Sequence, residues 1–173
     1  MPNKYVKIFT IIFLIVFASI GGHDFYVHRH FKEAMVPSSS LTEVRHLSDY
    51  EPSLKGTVND SNIYVFDSGI PGGTVLLLGG THPEEPATNL TALLVAENVK
   101  IEKGRLFVII RANRSASTGT RMGEAYPDFY HVKTPWGTKI FRMGDRVSNP
   151  LDSWPDPEAY IHYPTRQMLA YMD

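Results

Sequence analysis

The chain of 173 residues contains no cysteine, so neither a disulfide framework nor a thiolate zinc site can form. Any metal ion must therefore be held by histidine and carboxylate side chains. The sequence also has no large excess of positive or negative charge, because 17 basic and 18 acidic residues leave a formal net charge of −1. A nucleic-acid-binding protein needs a basic stripe to replace the counterions around phosphates. We therefore expect no nucleic-acid partner. The length and the 43% of hydrophobic residues suit about one globular domain.

One long apolar run is present, from Ile8 to Ile20, and it follows Lys4 and Lys7. This order is typical of an export signal. At 1.5 Å per residue the run rises about 20 Å, which is short of the roughly 30 Å hydrocarbon core. A cleaved signal peptide, an uncleaved anchor lengthened by flanking aromatic residues, and a buried core helix all fit the pattern. We predict a signal peptide or membrane anchor over residues 1–22, with the remainder on the periplasmic or extracellular side.

Residues 23–40 are predicted to form a linker. Three histidines lie in it beside basic residues, without a closed ligand pattern, and Pro37-Ser-Ser-Ser40 has the composition of a flexible joint. After the linker, Ile63 to Phe66 is predicted to form an edge strand, and His46 is interpreted as a surface residue.

The stretch from Thr74 to Ile110 predicts a strand, a helix and a second strand. Val75 to Leu78 is a continuous apolar run, typical of a strand buried on both faces, and Leu106 to Ile110 is the second such run. Pro86 to Val99 has proline at its start and leucines at helical intervals, which favours a helix. A unit with these lengths implies a right-handed crossover between parallel strands.

A candidate metal site lies at the corner after the first strand, where α/β proteins usually bind ligands. His82 and Glu85 are three residues apart in a turn that two prolines stiffen. Imidazole nitrogen and carboxylate oxygen are common zinc donors, and this spacing lets both side chains reach one ion. The alternative is a loop histidine beside a helix N-terminus, with Glu84 and Glu85 favoured there by the helix dipole.

Arg111, Asn113 and Arg114 follow the second strand and are candidate substrate-binding residues. A guanidinium pairs bidentately with a carboxylate and stays charged when partly buried, and Asn113 could orient the same group. The implied partner is a small-molecule substrate with a carboxylate. The alternative is a solvated turn with ordinary surface arginines.

Regular periodicity fades after Ser115, where prolines and aromatic residues accumulate. Such a stretch suits either a wall of the substrate site or a loop packed by its own aromatic residues. Lys133 to Arg142 is predicted to form a short hairpin about Trp136-Gly137. His131 and His162 are the remaining candidates for a third metal ligand.

The turn Gly-Gly-Thr-His82-Pro-Glu-Glu85-Pro, with Arg111-Ala-Asn113-Arg114-Ser after the next strand, resembles the succinylglutamate desuccinylase and aspartoacylase family of the zinc carboxypeptidase superfamily. The resemblance runs from about Thr74 to the C-terminus. It implies that His82 and Glu85 are the first two ligands of a Zn²⁺ ion. The better-known members carry Gly-Asn between these ligands, where this chain has Pro-Glu.

The resemblance also implies a fold: a partial three-layer α/β/α domain with a mostly parallel sheet over residues 41–173, preceded by the N-terminal apolar helix. The family's third zinc ligand, its general base and its clearest Asn-Arg motif have no match, so the catalytic residues are unassigned. We expect this chain to be the N-terminal portion of a longer enzyme or a truncated gene product.

The expected function is a zinc-dependent hydrolase that cleaves an amide bond of a small acylated amino acid or a peptide-like substrate, and that contacts the membrane through its N-terminal segment. The missing third ligand favours an alternative, a non-catalytic membrane-tethered binding module or an inactive fragment. The intact corner with His82 opposes that alternative.

Overall fold

The computed structural model describes residues 3–119 and 127–153. The described residues fall into two compact units that divide after Lys32. The first unit is a single helix, α1 (Lys4–His30). The second unit carries the sheet, a hairpin and the remaining helices.

Helix α1 begins at Lys4 and is capped by Asn3, whose side chain accepts a hydrogen bond of 3.1 Å from the backbone N–H of Tyr5. It has 27 residues, none of them buried. At 1.5 Å per residue it is about 40 Å long, which exceeds the roughly 30 Å of a bilayer core. The helix continues past residue 22, so the three histidines predicted to lie in a linker are helical. It is long and apolar enough to serve as a signal or a membrane anchor.

The second unit contains strands and helices in the following order: β1 (Glu43–His46), β2 (Asn62–Asp67), β3 (Thr74–Leu78), α2 (Pro86–Asn98), β4 (Arg105–Ile109), β5 (Phe129–Thr134), β6 (Gly137–Arg142) and α3 (Pro150–Ser153). Three short 3₁₀ turns lie at Leu47–Asp49, Pro52–Leu54 and Ala116–Thr118.

The main sheet has the strand order β1-β2-β4-β3. Strands β3 and β4 are parallel, with Leu77 opposite Val108, which confirms the predicted strand, helix, strand unit. The prediction of a mostly parallel sheet is wrong, since β2 is antiparallel to both β1 and β4. The connection from β2 to β3, residues 68–73, is too short for the crossover that parallel strands require, so β2 runs antiparallel to β3 and to its parallel neighbour β4.

The predicted positions of the central and edge strands are exchanged. Among the described residues, strand β3 lies at an edge of the sheet, and Val75 is 59% exposed instead of buried. Strand β2, predicted at an edge, lies between β1 and β4 and buries Ile63, Val65 and Phe66. A short apolar run shows that a strand is present but does not show how many neighbours it has.

Helix α2 covers one face of the sheet. It begins at Pro86, as predicted, and ends at Asn98, one residue before the predicted end at Val99. Asn89, Ala92, Leu93 and Ala96 are buried at helical spacing, and the apolar members pack with sheet residues such as Phe66 and Val108. Burying a leucine side chain such as that of Leu93 contributes about 1.5–3 kcal/mol.

The opposite face of the sheet is covered differently. Ile63, Val65, Phe107 and Ile109 form a second apolar cluster with Leu47 and Leu54 from the 3₁₀ turns. Within residues 3–119 and 127–153, no α-helix contributes to this cluster. The described fold is therefore mixed α/β, and the finer three-layer arrangement is not established by it.

Strands β5 and β6 form the predicted hairpin, with Thr134 opposite Gly137 across a two-residue turn. Gly137 has φ of +120°, a backbone conformation that other residues rarely adopt. Tyr130 and Phe141 stack with ring centroids 5.1 Å apart, and both join the apolar cluster under α2. These two aromatic residues of the segment after Ser115 are therefore part of the core.

Residues 33–40, here called the strap, lie against α2. The backbone N–H of Ser38 donates to the carbonyl of Ala96 at 3.0 Å, and its hydroxyl donates to the carbonyl of Val99 at 2.6 Å. The backbone N–H of Val36 donates to the Glu97 carboxylate at 3.0 Å. These bonds attach a segment that was predicted to be flexible.

Candidate metal centre

Two glycines, Gly79 and Gly80, form the corner after β3, and Gly79 determines how closely α2 packs. Parallel pairing continues beyond the strands, because the N–H of Gly79 donates to Ile109 and its carbonyl accepts from Ala112. A Cβ atom on Gly79 would lie 2.6 Å from the Cβ of Ala92. Only glycine therefore lets α2 pack this close to the end of β3, and this packing places the start of α2 beside the strand end.

The turn itself brings the two predicted ligands together. The backbone N–H of Glu85 donates to the carbonyl of His82 at 3.0 Å, and α2 begins at the next residue, Pro86. Nδ1 of His82 then lies 3.3 Å from Oε1 of Glu85. The two side chains are 40% and 46% exposed, so an ion from solvent can reach both.

This separation agrees with the size of a zinc coordination shell. Two atoms bonded to one tetrahedral zinc ion at 2.0–2.2 Å are about 3.4 Å apart. The donor set, one imidazole nitrogen and one carboxylate oxygen, is also a usual zinc pair. The same distance suits a simple contact between a histidine and a glutamate, so the geometry fits a metal ion without requiring one.

Arg146 is a member of this cluster that the sequence did not indicate. Its Nε donates to Oε1 of Glu84 at 2.8 Å, and its NH2 group lies 3.4 Å from the same Glu85 oxygen that faces His82. The Arg146 side chain is 61% exposed. No motif links it to the turn, because 62 positions separate it from Glu84.

Arg146 is held there by a loop that packs on the corner. The N–H of Asp145 donates to the carbonyl of Ala116 at 2.9 Å, and the N–H of Asn149 donates to the Ser115 hydroxyl at 2.9 Å. A Cβ atom on Gly144 would lie 2.8 Å from the Cβ of Pro83. The proline of the turn therefore contacts the loop that carries Arg146.

Asn113 supports that loop. It is 1% exposed, and its Oδ1 accepts from the N–H of Ala116 at 3.1 Å and from the Ser148 hydroxyl at 3.2 Å. Among the described residues, its Nδ2 has no hydrogen-bond partner. Of the three predicted substrate-binding residues, Asn113 is the one joined to the Arg146 loop.

Arg111 and Arg114 interact with other parts of the unit. Arg111 forms a buried ion pair with Glu33 of the strap. Burial lowers the pKa of Arg111 to about 9, which still leaves it cationic at neutral pH. Arg114 donates to the carbonyl of Asp60 at 3.4 Å, and burial lowers its pKa as well.

A third protein ligand is not found in the part of the chain that the structure describes, where no three His, Cys, Asp or Glu side chains form a metal-binding group. His131 lies on an exposed position of β5. His162 lies outside the described residues. The candidate centre therefore consists of His82 and Glu85, with Glu84 and Arg146 beside them.

Comparison of the chain with protein-family models, with curated proteins and with solved structures gave no match. The family resemblance consequently depends on the residues of the corner and of the segment after β4. The geometry of His82 and Glu85 is independent of that resemblance.

Proposed function

We propose that this chain is part of a zinc-dependent hydrolase, similar to the succinylglutamate desuccinylase and aspartoacylase family, that cleaves an amide bond of a small acylated amino acid or peptide-like substrate. The observation that carries the proposal is the 3.3 Å separation of Nδ1 of His82 and Oε1 of Glu85 at the carboxyl end of a parallel strand. Both donor atoms and their spacing suit one Zn²⁺ ion.

His82 and Glu85 would hold the ion. When bound, zinc supplies a Lewis acid that polarises a carbonyl group and lowers the pKa of water towards neutrality. The turn supports this role because the backbone hydrogen bond from Glu85 to His82 fixes the spacing of the two ligands before any ion arrives. Less entropy is then lost on binding.

Arg146 would bind the substrate carboxylate. It is exposed, it is next to the candidate ligands, and guanidinium is the side chain best suited to a planar carboxylate. Arg111 and Arg114, which are mostly buried and already paired within the chain, would support the fold around the site. Asn113 would position the Arg146 loop through Ser148.

The proposal also includes the side of the membrane on which the second unit lies and the layer arrangement of its domain. Lys4 and Lys7 precede the apolar part of α1, so the positive-inside rule favours an exported α/β unit on the periplasmic or extracellular side. The sheet, covered by α2 on one face, would be part of a three-layer α/β/α domain.

The proposal is tested by measuring hydrolysis. Hydrolysis is measured on the full-length protein that contains this chain, which is stripped with a chelator, resupplied with zinc, and assayed for release of free amino groups from a panel of N-acylated amino acids with different acyl groups. We expect zinc-dependent release that falls at least about tenfold in His82→Ala and in Glu85→Ala. His46→Ala, on the exposed edge of β1, is the matched control and should keep full activity. Equal release by all four proteins would contradict the proposal.

A second candidate function is a non-catalytic, membrane-tethered module that binds carboxylate ligands. The observation that favours it is the lack of a third metal ligand within residues 3–119 and 127–153. In that case Arg146 would bind the same carboxylates without zinc, and no substrate on the panel would be hydrolysed. Ligand binding that is lost in Arg146→Gln but kept in His82→Ala would identify this function.

A further inference from the structure

The second unit has an apolar groove on the outer side of α2. Its volume is about 550 Å³. It is lined by Thr91, Leu94, Val95, Asn98, Val99 and Trp136. Five of these residues belong to α2 or its C-cap, and the sixth is at the tip of the β5–β6 hairpin. We call this area the α2–Trp136 surface.

Trp136 is 71% exposed although its ring is the largest apolar group of the groove. Its turn is well ordered by hydrogen bonds, because the hydroxyl of Thr134 donates to the carbonyl of Gly137 at 2.7 Å and accepts from the N–H of Trp136 at 3.3 Å. Together with the apolar groove that it lines, this exposed ring forms a contiguous apolar patch, which is typical of a surface that contacts a partner or a membrane. Tryptophan is also a residue that membrane interfaces favour.

Two exposed lysines lie close to this surface in the chain. Lys133 is exposed on β5, and Lys100 is exposed two residues beyond the end of α2. The side chain of Lys139 is mostly buried and is paired with Glu97 at 2.5 Å, so it adds no free positive charge. Lysines next to an exposed tryptophan suit the boundary between anionic headgroups and acyl chains.

The chain that leads from α1 into the strap is short. Val36 is bonded to Glu97, and Ser38 is bonded to Val99, which itself lines the groove. Only the five residues from Phe31 to Met35 precede Val36 after α1 ends. Five residues reach at most about 18 Å. If α1 is inserted, so short a tether keeps the second unit close to the bilayer surface.

We propose that the α2–Trp136 surface rests on the lipid bilayer, with the Trp136 ring at the boundary between headgroups and acyl chains. The occupant of the groove is thus lipid, and the partner is a membrane with anionic headgroups. This inference depends on α1 being inserted as an anchor and is independent of the zinc chemistry. Its consequence is a fixed orientation of the candidate metal centre relative to the membrane.

The test uses the full chain in vesicles of phosphatidylcholine and phosphatidylglycerol whose acyl chains carry bromine, which quenches tryptophan on contact. The chain has two tryptophans, so Trp154→Phe leaves Trp136 as the single reporter. A control with Trp136→Phe, Trp154→Phe and Val44→Trp places the reporter on β1, at another partly exposed apolar position. A third protein with Trp136→Phe, Trp154→Phe and Phe13→Trp places it in α1.

We expect strong quenching of the reporters at positions 136 and 13 and none at position 44. Quenching of the reporter at position 13 without quenching at position 136 would overturn the proposal. Blue-shifted but unquenched emission from Trp136 would also overturn it, since it would indicate a protein partner. Lack of quenching at 13 would overturn the anchor and with it this inference. None of these results bears on zinc binding, which is measured separately.

Discussion

Nε of Arg146 donates a hydrogen bond of 2.8 Å to Oε1 of Glu84, one of the two residues between the predicted ligands of the candidate metal centre. The same guanidinium lies 3.4 Å from the oxygen of Glu85 that faces His82. A fixed positive charge therefore stands beside the position that a Zn²⁺ ion would take. Since like charges repel, Arg146 should weaken metal binding while favouring an anionic substrate.

Replacing Arg146 should tighten zinc binding. We expect Arg146→Gln to raise the zinc affinity by about three- to tenfold, a modest effect because the arginine is exposed and screened by solvent. Competition with a chromophoric chelator measures the affinity. Arg146→Lys keeps the charge and should bind zinc as the wild type does. A glutamine variant that binds zinc more weakly would mean that Arg146 supports the site in another way.

The glycine at the end of β3 should be required for the corner. In Gly79→Ala the new methyl group meets Ala92 at 2.6 Å and the Thr88 carbonyl at 2.8 Å, so α2 must shift. We expect a loss of about 1–3 kcal/mol in unfolding free energy and weaker zinc binding. Gly73→Ala is the control, because a Cβ atom there meets nothing within 4 Å. Urea denaturation that gives equal stabilities for the two variants would contradict the packing described.

The ion pair of Glu33 and Arg111 should be important for stability. Both side chains are almost fully buried, so Glu33→Gln leaves a buried cation without its partner and should cost about 3–5 kcal/mol. The double change Glu33→Leu with Arg111→Met removes both charges and should recover most of that loss. Glu43→Gln breaks the exposed pair with Arg45 and should cost less than about 1 kcal/mol. Similar losses in the two single variants would show that the strap is not attached in this way.

The buried hydroxyl of Tyr130 should make the free energy of unfolding decrease at alkaline pH. Burial raises the pKa of Tyr130 to about 12, against an ordinary value near 10. Between these values the folded protein keeps the phenol proton while the unfolded chain loses it, so stability falls as pH rises from about 10 to 12. We expect the wild type to lose about 2 kcal/mol more than Tyr130→Phe across this range. Parallel stability curves for the two proteins would refute the assigned burial of the hydroxyl.

Some elements could be predicted from the sequence because local patterns determine them. Pro86 and the leucine spacing predicted α2, and two apolar runs joined by that helix predicted the parallel pairing of β3 and β4. The hairpin about Trp136 was also predicted and is confirmed, with strands longer than expected. In each case the residues that determine the element are close together in the chain.

Other features depend on contacts between distant residues and were not predictable from one sequence. The edge position of β3 depends on which strands pair with it. The antiparallel direction of β2 depends on the short connection between β2 and β3, and the apolar pattern of the strands does not show that direction. Arg146 reaches the candidate centre only because Gly144, Ser148 and Asn149 pack their loop on the corner. The buried pairing of Arg111 with Glu33 likewise joins residues that no local pattern connects.

Zinc binding by the purified full chain tests the central claim most directly, with wild type, His82→Ala, Glu85→Ala and the control His46→Ala compared by isothermal titration after chelator treatment. If one imidazole and one carboxylate share an ion at the end of β3, the wild type and His46→Ala bind zinc with the same affinity. The other two variants then bind it at least about tenfold more weakly. Equal affinity in all four proteins, or no binding by the wild type, would contradict the claim.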